Sequence, residues 1–180
     1  MKTLLKNGLI LDYKTNTKKE LDLLIEDDKI VEISEEITTV ADKIIDCVGL
    51  FVMPGMIDIH CHLRQPGFEH KETIETGSKS AVKGGFTTIC PMPNTKPTPD
   101  NAETLEMIIK EAKRVNLCNV LPYASVTLGE KGEELVDFKT LKEHGAIAFS
   151  DDGIPVMNSK IMREAIIEAD KLRKFCCITL

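Results

Sequence analysis

The chain lacks any apolar run near the roughly 20 residues that a bilayer-spanning helix requires. It has no small-residue cleavage site after its first apolar patch, so residues 1–12 read as a strand rather than a leader, and the protein as cytoplasmic. It has no excess of positive charge. The net charge of −6 argues against nucleic acid and against an anionic membrane as partners, because both need a basic face. A small anionic substrate stays compatible, since one arginine and a metal can outweigh a diffuse charge. There is no C-x-x-C pair among the six cysteines (Cys47, Cys61, Cys90, Cys118, Cys176, Cys177). Most sit in apolar strand-like runs, which predicts reduced, core-packed thiols instead of a disulfide framework. No glycine-rich phosphate loop is present, which speaks against a doubly wound nucleotide-binding sheet.

What is present divides at Pro54-Gly55. Residues 1–53 read as short strands separated by turn signals, with Asn7-Gly8 predicting a tight turn, Asp27-Asp28 a hairpin and Gly49 a further break. Strands at this spacing predict a small β-sandwich domain. From residue 54 to 180 strands alternate with helices. Strands are predicted at Met56–His60, Phe86–Cys90, Asn119–Val126, Ala146–Ser150 and Phe175–Leu180. Helices are predicted at Lys71–Lys83, Asn101–Val115 with Asp100 as N-cap, Asp137–His144 and Ser159–Lys174. Such alternation predicts a parallel sheet in an α/β fold. It reads as the first four βα units and a fifth strand of a (β/α)₈ TIM-like barrel, whose full length is typically about 250 residues.

The residues suited to chemistry fall at strand ends. His60 and His62 are one residue apart, and alternate side chains of a strand share a face. Two imidazoles aimed at one point make a metal pair, zinc first. Cys61 between them points the other way. Asp151 and Asp152 follow the fourth predicted strand. Asp-Asp-Gly is also good turn chemistry, but a carboxylate there could bridge two cations held about 4 Å apart. Arg64 could clamp a substrate carboxylate, and Asn94, in Met-Pro-Asn-Thr-Lys-Pro, offers both a donor and an acceptor. His70 and His144 read as structural. The run Gly129-Glu-Lys-Gly-Glu-Glu134 reads as a solvated loop.

The run Pro54-Gly-Met-Ile-Asp-Ile-His-Cys-His-Leu-Arg-Gln-Pro-Gly67 resembles the amidohydrolase superfamily, and within it the dihydroorotases of the longer bacterial type. Lys71–Gly77, Lys83–Pro97 and Ala146–Gly153 are similar to the same family. The resemblance implies a metal-dependent cyclic amide hydrolase that interconverts N-carbamoyl-L-aspartate and dihydroorotate in pyrimidine synthesis. It implies a binuclear zinc site with His60, His62 and a bridging Asp152, and a substrate carboxylate held by Arg64 and Asn94. It also implies a histidine ligand at the end of the fifth strand, where this chain reads Ile178-Thr179-Leu180, and a proton-shuttling aspartate beyond residue 180. The chain is therefore expected to be an N-terminal fragment, its partner a second copy or a separate C-terminal half. Two other readings stay open: a non-catalytic fragment of the fold, and a hydantoinase or allantoinase. Hydantoinases use a carboxylated lysine where this chain has Asp152.

Overall fold

A computed structural model describes residues 1–12, 14–174 and 176–177. The chain forms two compact units, Met1–Pro54 and Gly55–Leu180.

In the first unit, β1 (Lys2–Asp12), β2 (Thr17–Glu26), β3 (Lys29–Ser34), β4 (Lys43–Asp46) and β5 (Phe51–Val52) join a single sheet. β2 pairs antiparallel with β1 and with β3, while β4 and β5 lie parallel to β1 along its other edge. The expected two-layered sandwich is thus one five-stranded sheet among the described residues. Ile37 and Ala41, in the connection after β3, pack against Leu4 and Leu24.

Asn7-Gly8 is not the predicted turn. β1 runs straight through it, with a register shift against β2 between Leu5 and Gly8. The reason is Asp22, which is 2% exposed. Its carboxylate accepts hydrogen bonds from the Asn7 amide (2.9 Å) and the Ile37 amide (3.0 Å). Asn7 takes up a left-handed φ of 59°, and the bulge forms where a hairpin would otherwise turn. Gly8 is required there, because an added Cβ would lie 2.5 Å from Val52 Cγ2.

The second unit alternates β6 (Met56–Cys61), α1 (Ile74–Lys83), β7 (Phe86–Pro91), α2 (Ala102–Val115), β8 (Asn119–Val120), α3 (Phe138–Glu143), β9 (Phe149–Ser150), α4 (Ser159–Lys171) and β10 (Cys176–Cys177). Pairings β6–β7, β7–β8 and β9–β10 are all parallel. A parallel bridge from Ala124 to Phe149 links the segment after β8 to β9, supported by Ile147 N–H to Pro122 O at 3.0 Å. Neighbours in sequence are therefore neighbours in space across the five strands. Strands β8 and β9 are shorter than predicted; Pro122 has no N–H to extend the first of them.

Side-chain caps set the helix starts. Thr73 and Thr76 form a capping box, so α1 begins at Ile74 and not at Lys71. Asn101, not Asp100, caps α2, and Asp100 instead accepts from the Gly129 amide at 2.9 Å. The predicted end of the last helix at Lys174 retreats to Lys171. Of the predicted fifth strand, Phe175 and residues 178–180 lie outside the described residues. The helices bury one apolar face each: Leu105, Phe138, Leu141 and Ala165 pack with Phe149, and Ile74 and Ile108 pack with Leu63 and Ile89. Cys47, Cys61, Cys90 and Cys118 form no disulfide.

Replacing Asp22 with Ala should lower the stability of the first unit by about 2 kcal/mol, since the Asn7 amide and the buried Ile37 amide lose a charged acceptor. Burial pushes the Asp22 carboxyl upward. The Asn7 and Ile37 amides and Lys6 outweigh it, leaving the carboxyl below its ordinary value of 3.8. A carboxyl depressed by folding stabilises the fold above the unfolded-state value and loses that contribution as pH falls through the folded-state value. Urea titrations at pH 7 and pH 3 check both statements, and the Asp22→Ala deficit should shrink at the lower pH.

Candidate metal centre

The candidate site is assembled at the carboxyl ends of the parallel strands. β6 is irregular just before its end, with a register shift against β7 between Asp58 and Cys61, and the His60 amide donates to Asp58 Oδ1 at 3.0 Å. His60 and His62 nevertheless lie near each other, ring centroids 5.2 Å apart. Cys61 packs against the cluster of Leu63, Ile74 and Ile89, and burial pushes its thiol up to about 12. It is a core residue with no thiolate to offer.

Asp151 and Asp152 go separate ways. Asp151 is 4% exposed and turns inward. It accepts from the Val126 amide (2.7 Å), the Thr127 amide (3.1 Å) and the Thr127 hydroxyl (2.5 Å). Asp152 adopts a left-handed φ of 48°, and its amide donates to Ser150 Oγ at 3.0 Å. Its carboxylate faces the histidines, with Oδ1 3.3 Å from His60 Nε2 and Oδ2 3.9 Å from His62 Nδ1.

Asn94, on the loop after β7, ties these groups together. Its Nδ2 donates to Asp152 Oδ2 and lies 2.9 Å from His62 Nδ1. Arg64 Nη1 donates to the Asn94 backbone carbonyl at 3.5 Å. Arg64 also has a left-handed φ, 59°. Such conformations in non-glycine residues persist only where the surroundings impose them. The structure thus brings all five residues singled out in the sequence into one neighbourhood. His144 lies elsewhere, paired with Glu106 at 2.5 Å, and His70 packs beside Phe68.

One donor atom each from His60, His62 and Asp152 fall within 4.8 Å of one another. Zinc bonds of about 2.0–2.1 Å in a tetrahedron put neighbouring donors about 3.3 Å apart. The three side chains are thus spaced and chemically suited to hold one divalent cation, with a half-exposed side left for a further ligand.

Glu130 was missed in the sequence. It belongs to the charged run read as a solvated loop, but it is 9% exposed at the end of a single 3₁₀ turn, Leu128–Glu130. Burial, then the charges of Asp151 and Asp152, push its carboxyl up to about 7. Nothing in the local spacing sets it apart from Glu133 and Glu134, which are exposed.

The fold is that of the hydantoinases. An L-hydantoinase from Arthrobacter aurescens aligns over 98% of this chain and 40% of its own, with a TM-score of 0.85 at 24% identity. A D-hydantoinase from Thermus sp. aligns over 98% and 39%, with a TM-score of 0.77 at 24% identity. The profile of one family, described as dihydro-orotase-like, matches residues 49–177. The chain belongs to this dihydroorotase-like family. Dihydroorotases from Aquifex aeolicus and Macrococcus caseolyticus are 49% and 50% identical to it over 172 residues, 96% of this chain. The chain spans about two-fifths of their length, 41% and 40% respectively.

The two aspartates should separate cleanly by mutation. Asp151→Ala strands the Val126 and Thr127 amides and should destabilise the second unit by about 3 kcal/mol. Asp152→Ala should change stability by less than about 1 kcal/mol yet weaken metal binding. Chemical denaturation paired with a zinc titration of each variant checks the division.

Proposed function

We propose that the site is the amino-terminal part of a zinc-dependent dihydroorotase centre, which interconverts N-carbamoyl-L-aspartate and dihydroorotate as a cytoplasmic step of pyrimidine synthesis. The observation that carries the reading is the convergence of His60, His62 and Asp152 in a chain whose relatives are dihydroorotases. Residues 54–180 are read as the first half of a (β/α)₈ barrel, and residues 1–53 as its flanking β domain. The sequential parallel order of the five strands supports this. So does β6, which leaves Ile57 and Ile59 62% and 67% exposed, as a strand does when more of its fold remains to cover it. The rest of the barrel, as continuing chain or as a separate one, would supply the remaining ligands and the proton-shuttling aspartate.

His60, His62 and Asp152 would hold zinc, and Asp152 would be shared with a second ion. Zinc in this position supplies a Lewis acid for the ring amide carbonyl. The chain's own residues orient the substrate. Arg64 presents a guanidinium for a planar, two-point grip on a carboxylate. Asn94 holds His62 and Asp152 in place and offers its amide to the same substrate group. Asp151 keeps the loop rigid beneath them.

The hydantoinase reading rests on fold likeness alone. Between Ala146 and Gly153 the chain has no lysine to carry a carboxylate bridge.

Replacing both His60 and His62 with Ala should reduce retained zinc to background by elemental analysis of the purified chain. Unchanged metal content would end the metal assignment. Binding separates the substrates. Dihydroorotate should bind the zinc-loaded chain at least about tenfold more tightly than dihydrouracil, the same ring without the carboxylate, and Arg64→Ala should erase the difference, a loss on the scale of one charge-assisted contact. Equal affinity for both rings in the unmodified chain would transfer the site to the hydantoinase class.

A further inference from the structure

We propose that Gly67 is a positioning residue for the pair Arg64 and Asn94: its bare backbone lets the loop after β6 close directly on the loop after β7. Its importance for substrate rests on the reading of Arg64 and Asn94 given above.

The two loops leave neighbouring parallel strands and are joined along their length. At the strand ends the Met92 amide donates to the Cys61 carbonyl at 2.9 Å. Further out, Arg64 Nη1 donates to the Asn94 carbonyl at 3.5 Å. The Lys96 amide then donates to the Pro66 carbonyl at 2.9 Å. Beyond that bond, Gly67 lies against the Lys96 carbonyl.

The loop after β6 is also fastened on its other side. Gln65 Oε1 accepts from the amide of Ile74, the first residue of α1, at 2.9 Å. Ile74 itself is buried in the core. The Phe68 amide donates to the Arg64 carbonyl at 3.0 Å and closes a turn around Gly67. With this loop tied to α1, volume added at residue 67 must displace the loop after β7. That loop carries Asn94, two residues before Lys96.

The displacement would be large. A Cβ on residue 67 would lie 2.0 Å from the Lys96 carbonyl oxygen and 2.9 Å from both the Lys96 carbonyl carbon and its Cβ. None of these atoms is the free end of a flexible side chain. Ordinary contact is about 3.5 Å, so the loops would part by about 1 Å or more. Gly67 also holds a φ of 94°, which side chains resist. Parting the loops draws the Asn94 carbonyl from Arg64 and its amide from His62 and Asp152. A misplacement of about 1 Å can cost a positioned group up to about 100-fold.

The test begins with amide hydrogen exchange of the 180-residue chain followed by NMR. The Lys96 amide should exchange at least about tenfold faster in Gly67→Ala than in the unmodified chain, and the Asn94 side-chain amide signals should move. Gly67→Asn supplies a residue that tolerates positive φ yet carries the same Cβ, and it should behave like Gly67→Ala. Gly132→Ala places backbone strain at a φ of 72°, where the nearest atom to an added Cβ is Val156 Cα at 3.7 Å. It should leave both signals unchanged. In the zinc-loaded chain, both Gly67 variants should lose most of the roughly tenfold preference for dihydroorotate over dihydrouracil. Zinc content should stay the same, because His60, His62 and Asp152 lie outside the displaced loop. A protected Lys96 amide with unmoved Asn94 signals in Gly67→Ala, an equal response in Gly132→Ala, or a preference that survives parting of the loops would each overturn the role of Gly67. So would loss of cooperative urea unfolding in both Gly67 variants, which would make the glycine a requirement of folding alone. Equal affinity for the two rings in the unmodified chain instead overturns the reading of Arg64, and the exchange rates still decide whether Gly67 places the two loops.

Discussion

The three hydrogen bonds that Asp151 accepts from Val126 and Thr127 hold the third and fourth parallel strands together at their carboxyl ends. The geometry of the site follows from them. With Asp151 committed inward, the chain must reverse within one residue, and Asp152 takes the left-handed conformation that turns its carboxylate toward His60 and His62. A buried carboxylate satisfied by two amides and a hydroxyl is a rigid anchor, because releasing any one of them leaves an unpaired group in a dry environment. The same bonds fix the connection that carries Glu130.

The electrostatics of this end of the sheet favour a cation. Asp151, Asp152, Asp100 and Glu130 bring negative charge together, and Arg64 is the positive side chain acting on Glu130. Asp151 is satisfied by its three hydrogen bonds. Asp152 is left with an amide from Asn94 and two imidazoles. Imidazole nitrogens and a carboxylate together form a donor set suited to a divalent ion such as zinc.

The sequence made some of this legible and hid the rest for physical reasons. His60 and His62 could be read because strand geometry has a period of two, and that period survived the irregularity at Asp58 to Cys61. The alternation of parallel strands and helices was legible for the same kind of reason, since apolar faces must be buried at fixed spacing. The turn Asp151-Asp152 was ambiguous because the division of labour depends on amides 24 and 25 residues away. Glu130 was invisible, as its burial comes from contacts that the local run of charges does not encode. Asn7-Gly8 misled in the opposite sense. Its turn chemistry was real, but a buried carboxylate across the sheet captured the bulged amide, so the same left-handed residue served a bulge.

The chain overlays hydantoinases closely at 24% identity and is about twice as similar in sequence to dihydroorotases. A carboxylated lysine and an aspartate both present a bridging carboxylate, but they reach it with different lengths of side chain. An aspartate can span the gap only if the backbone itself approaches the histidines. Here it does so through the left-handed Asp152, and the backbone can take that path because Asp151 holds the strand end in place. Were Asp152 the bridging residue, its short reach would depend on the buried aspartate beside it, and substitution of either residue alone should not convert one class of site into the other.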